Sequence, residues 1–100
     1  MTLTLEKTIE EISSHIKTKK DRLIKNGVIS YLKEQKRKII MDKFDIFNRY
    51  NVKSTSELEE KIKDNIVQEH PAWEDLISLE NMESKIDELE QDIRNIQEAD

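Results

Sequence analysis

The run from Pro71 to Asp100 leaves this chain few folds to choose from. It contains no glycine, and its one proline stands at the start. Leu79, Met82, Ile86, Leu89, Ile93 and Ile96 recur at alternating steps of three and four. That spacing lines them up on one narrow stripe of a helix, a seam that packs lengthwise against another helix. Everything upstream has to be asked what this seam packs against.

Residues 28–50 answer best. Leu32, Ile39 and Ile46 form one row of a helix, and Ile29, Lys36, Lys43 and Tyr50 form the row beside it. Ile40 and Phe47 widen that face. Pro71 suits the first turn of the last helix, because the amide hydrogen it lacks would find no intrahelical partner there. Glu74 and Asp75 suit the positive end of the same helix. Helices over about 28–50 and 71–97 are matched in length, the second spanning ~39 Å at 1.5 Å per residue. The expected fold is therefore all-α, an antiparallel helical hairpin or coiled coil. In this register Trp73 comes near Phe47 and Tyr50, while Ile93 and Ile96 approach Ile29. Lys36 and Lys43 run their methylene stems along the seam and reach toward acidic residues beside it.

The corner of the hairpin carries its own signals. Tyr50-Asn51-Val52-Lys53 closes one helix. Ser54, with Glu57 three residues on, reads as a capping box. It opens a short helix over about 55–63 that buries Leu58 and Ile62.

Residues 3–26 read as a further helix, part of a basic arm over 1–27 that precedes the hairpin domain of 28–100. Leu5, Ile9, Ile12, Ile16 and Leu23 follow heptad spacing, although Lys19 and Asn26 fall on the same stripe. Asn26-Gly27 is the strongest breaker pair before residue 51. At about 100° per residue, Ile16 and Ile39 point roughly 140° apart, so the apolar stripe changes sides along the way. The reading places that change at Gly27, as a continuous rod or a mild bend. The arm has no partner of matching length within the chain. Leu5, Ile9, Ile12, Ile16 and Leu23 are thus expected to serve oligomerisation, as a homodimer.

Charged residues make up 39% of the chain and hydrophobic ones 35%, too little for a thick core and well suited to long helices sharing thin seams. One glycine and one proline leave little material for turns, and the isoleucines sit at helical spacing, so no sheet is expected. There is no cysteine, which excludes disulfides, thiolate metal sites and thiol nucleophiles. No stretch has the apolar length of a signal peptide or a membrane span, and a cytoplasmic location without membrane contact is expected. The net charge of -5 divides unevenly: residues 1–50 carry 12 Lys/Arg against 7 Asp/Glu, and residues 51–100 carry 5 against 15. Attraction between the two halves within the hairpin is the simplest consequence.

Catalytic, metal and cofactor sites are not expected, and the chain reads as non-enzymatic. His15 and His70 are the only histidines. Glu11 and His15 share a helix face with Lys19, whose charge opposes a cation there. The carboxylates of the last helix are spread over solvated positions rather than paired in a cleft. One glycine cannot build a phosphate loop. Lys17, Lys19, Lys20, Arg22 and Lys25 form a basic cluster that suits phosphate contacts, so nucleic-acid binding through the arm stands as an alternative role. No aromatics are interleaved with it, and the chain as a whole is acidic.

Trp73 has two readings. It closes the corner against Leu58, Ile62 and Phe47, which is favoured, or it anchors a protein partner. Ile77 points away from the seam, so Trp73, Leu76 and Ile77, with Glu74 and Asp75, are the candidate partner-binding residues.

From Phe44 to about residue 97 the chain carries Phe47-Asn48-Arg49-Tyr50, the turn Asn51-Val52-Lys53, the capped helix Ser54 to Ile62, and Glu69-His70-Pro71-Ala72-Trp73-Glu74-Asp75 opening the final helix. In this run it resembles short all-helical prokaryotic proteins, mainly archaeal, that look like the antitoxin of two-gene toxin–antitoxin units of the TumE-partner type. The resemblance implies an interaction protein that neutralises a toxin partner and implies no catalytic residue. The basic arm departs from it in detail. A structural coiled-coil subunit is the other alternative.

Overall fold

A computed structural model describes residues 4–99. Leu3, where the expected first helix begins, lies outside the described residues. The fold is all-α, with α1 (Leu5–His15), α2 (Lys20–Tyr50), α3 (Thr55–Lys63) and α4 (Glu69–Glu98) in chain order. It is elongated, at 62 × 31 × 17 Å. Its radius of gyration of 20.2 Å far exceeds the ~13 Å of a compact chain of this length.

Local chemistry accounts for the helix ends. The Thr4 hydroxyl caps α1 by accepting from the Lys7 amide, and Ser54 caps α3 by accepting from the Glu57 amide at 3.1 Å. The expected capping box closes one residue early: the Glu57 carboxylate accepts from the amide of Lys53, not of Ser54. Three helices end on the same motif, a residue at positive φ followed by an amide that reaches back five residues. These are Lys17 with Thr18 to Ser13, Asn51 with Val52 to Phe47, and Asn65 with Ile66 to Lys61. Asparagine tolerates this left-handed backbone better than most residues. Val52 and Phe47, the flanking apolar pair at the second motif, are both buried. Within α4 the backbone is extended at His70, as the residue before a proline prefers, and helical from Pro71 onward.

The break in the arm does not fall at Gly27. Helix α2 runs straight through that residue, and the chain turns instead at Ile16–Lys19. A glycine inside a helix costs only about 1 kcal/mol relative to alanine, which α2 absorbs over 31 residues. The expected helix over 3–26 is thus divided, its first part forming α1 and its second part the start of α2.

Helices α2 and α4 lie antiparallel along their whole length. Lys25 donates to the Ala99 carbonyl at 2.6 Å, Lys36 meets Glu90 at 3.1 Å, Lys43 meets Glu83 at 3.7 Å, and Arg49 meets Asp75 at 3.0 Å. Between the Lys36–Glu90 and Lys43–Glu83 pairs, seven residues up one helix match seven down the other, one heptad on each. Lys36 and Lys43 therefore do what their place on an apolar row requires, each carrying its charge across to a glutamate of α4.

The core sits at the corner. Ile46, Phe47, Val52, Leu58, Ile62, Ala72, Leu76 and Leu79 are buried together, with Tyr50, Val67 and Met82 packed around them. Helix α3 lies in the trough between α2 and α4. Its first residue, Thr55, donates its hydroxyl to Glu83, and the Lys61 ammonium reaches the carbonyls of Tyr50 and Asn51 at the end of α2. Away from the corner, α4 buries only Leu89 and Ile93.

Candidate functional site

Buried and exposed positions alternate at the start of α4, and they divide the residues that sequence grouped as one partner face. Ala72, Leu76 and Leu79 are at most 2% exposed and face the core. Leu76 is therefore not available to a partner, which corrects its place in that group. Asp75 is taken as well: Arg49 donates to it at 3.0 Å, and the Tyr50 hydroxyl donates to it. Burial pushes the Tyr50 phenol above its ordinary pKa, and its bond to Asp75 adds to the effect.

Trp73 does the opposite of what was favoured. It is 48% exposed and not part of the corner core, where Ala72 instead lets the helices approach closely. Ile77, one turn on, is 46% exposed, and Glu74 and Glu80 are exposed beside them. What remains is an apolar pair with acidic flanks, held on a helix whose inner face is already packed. A signal for this division was present. Steps of three and four, continued upstream from Leu79, land on Leu76 and Ala72 and leave Trp73 and Ile77 outside.

The α1 stripe is also on the surface. Leu5 is 77% exposed, Ile12 and Ile16 are exposed, and Ile9 and Leu23 are partly covered. Helix α1 leans on the start of α2 by its flank. Lys20 bonds Glu6 at 2.6 Å and Glu10 at 3.3 Å, and Ser13 is buried, with its hydroxyl donating to the Glu10 carbonyl. The Lys20 hydrogen bond, aided by its charge, holds the Glu6 carboxyl below the usual carboxylate range, and the same bond raises Lys20.

The basic cluster is only partly free for an anion. Lys20 is committed to α1 and Lys25 to the end of α4, while Lys17, Lys19 and Arg22 are exposed around the turn. Among the described residues no group of three or more His, Asp or Glu converges to hold a metal ion. No helix among them is long and apolar enough to cross a membrane.

Sequence reasoning missed a groove on the side of the hairpin. Ile40, Met41, Phe44 and Ile93 line it, with Lys33, Arg37 and Arg94 along its edges. Met41 and Phe44 are more than half exposed. They fall outside the two rows that faced the seam, and being apolar outside those rows was the available signal.

The whole chain, residues 1–100, matches the model of a family described as "Uncharacterized protein MJ0235 family". The chain belongs to the MJ0235 family. No curated protein and no solved structure matches it. The family match takes in the arm as well as the hairpin, whereas the resemblance to antitoxins covers only residues 44–97. As an MJ0235-family protein the chain carries exposed apolar side chains edged by charge on α1, α2 and α4.

Proposed function

We propose that this is a non-enzymatic cytoplasmic binding protein, an antitoxin-like component that neutralises a toxin partner by covering its working surface. The observation that carries the reading is the outward Trp73–Ile77 pair. A tryptophan half in water, on a rigid helix and beside a second apolar side chain, is the kind of anchor that dominates protein interfaces. Glu74 and Glu80 flank it, and residues 51–100 carry 15 acidic against 5 basic residues, which would speed the approach of a basic partner.

Co-expression with the product of the neighbouring gene tests this. The neighbour alone is expected to arrest growth, and the pair is expected to grow and to co-purify. Trp73→Ala with Ile77→Ala should weaken the complex by at least ~30-fold, the effect of losing a 2 kcal/mol anchor. A harmless neighbour, or one that never co-purifies, removes the antitoxin reading.

The alternative of a structural subunit draws support from a different observation, the exposed stripe of α1. In that case the protein would assemble with copies of itself and with no other partner.

A further inference from the structure

The trough between α2 and α4 is filled over only part of its length. Where Lys43 meets Glu83, Thr55 of α3 sits beside the pair. One heptad further from the corner, Lys36 meets Glu90 on the same side of both helices. There α3 has ended and the trough is open, enclosing about 550 Å³ over Ile40, Met41, Phe44 and Ile93. The hairpin thus has a third helix at the corner and a vacant place for one beyond it.

We propose that α1 of a second copy of this chain fills the open trough. Three features of the molecule point to that occupant. The first is length: Lys33 to Phe44 spans ~16 Å of helix and α1, Leu5–His15, spans ~15 Å. The second is charge. Lys33, Arg37 and Arg94 edge the trough, with Glu34 paired to Arg37 and Glu90 to Lys36. On α1, Glu6 and Glu10 are paired with Lys20, which leaves Glu11, without an ion pair among the described residues, as the acidic group α1 can bring to that basic edge. The third is reach. The chain's own α1 is joined to Lys20 by a short turn and spans ~15 Å, while Met41 lies 21 residues, or ~31 Å, along α2. Folding back, α1 runs out before the trough begins at Lys33, so the chain's own α1 does not fill the trough and α1 of a second copy is free of that limit. Two copies exchanging α1 reciprocally close a two-fold dimer in which each contact is made twice. The Trp73–Ile77 face is not used, so the assembly does not depend on the antitoxin reading.

Sedimentation of the full chain tests the exchange, with circular dichroism to confirm that each variant stays helical. The wild type is expected as a dimer. Leu5→Asp with Ile12→Asp damages the arm, and Met41→Asp with Phe44→Asp damages the trough. All four positions are exposed, so folding should survive. Each double variant is expected to fall to half the wild-type mass. Mixing the two should yield a heterodimer that neither forms alone, because one variant keeps an intact trough and the other an intact arm. A monomeric wild type overturns the proposal. So does a trough variant as dimeric as the wild type, which would mean that α1 pairs with something else.

Discussion

The two ends of this molecule are built from the same kinds of helix and end in opposite states. At the corner, three helices meet, and Leu58 and Leu79 lose all contact with water. At the far end, two helices lie side by side with α1 leaning on one of them, and Leu5 and Tyr31 remain 77% and 66% exposed. The difference is one of geometry. Two helices touch along a line and can cover only the stripe between them, whereas a third helix in the trough covers the rows on either side. The corner therefore supplies most of the monomer's buried core, and the far end leaves its apolar stripe in water.

The largest test of that contrast compares equal truncations. Leu76→Ala should destabilise the chain by about 2–5 kcal/mol in urea denaturation, as for a leucine removed from a packed core. Ile12→Ala, studied at concentrations too low for assembly, should change stability by less than about 0.5 kcal/mol. Similar losses at both ends would mean that α1 is packed as tightly as the corner.

A smaller effect sharpens the account of the far end. Gly27 lies inside α2, and an added Cβ meets nothing within 4 Å. Gly27→Ala should stabilise the fold by about 0.5–1 kcal/mol, read as a raised melting temperature. A destabilised variant would show that the chain needs glycine there as a hinge.

The smallest effect is electrostatic. The Glu6 carboxyl is held low by Lys20, so its contribution is complete above the ordinary carboxylate range of about 4 and is lost as the pH falls through the depressed value. Lys20 is held high, so its part is complete below the ordinary lysine range and is lost only in strong alkali. Acidification should release α1 before it disturbs the corner. In amide exchange by NMR, α1 is expected to lose protection first while Leu58 and Leu76 keep theirs. Simultaneous loss would show that the Lys20 contacts are not what holds α1.

Much of the hairpin was legible because helical period is a local property. The rows through Lys36 and Lys43 and the seam through Leu89 and Ile93 follow from counting residues, and the acidic side of one helix opposite the basic side of the other sets which glutamates the lysines find. Leu58 and Ile62 were legible for the same reason. The turn at Ile16–Lys19 was not, since it contains neither glycine nor proline and puts a lysine at positive φ. The candidate site was legible only in part: of the five residues named at the start of α4, Trp73, Glu74 and Ile77 face outward, whereas Leu76 is buried and Asp75 is taken by Arg49 and Tyr50.

Sequence alone determined that the chain is helical, that its two long helices run antiparallel, and which residues share each stripe. These follow from a repeat of 3.6 residues and from where charges recur along it. Tertiary structure decided which side of the hairpin α3 occupies, and with it which apolar residues are hidden and which face outward. Periodicity sorts residues by angle around one helix, but burial depends on how many neighbours stand at that angle. Trp73 faces water and Ala72 the core because α2 and α3 are both on the same side of α4.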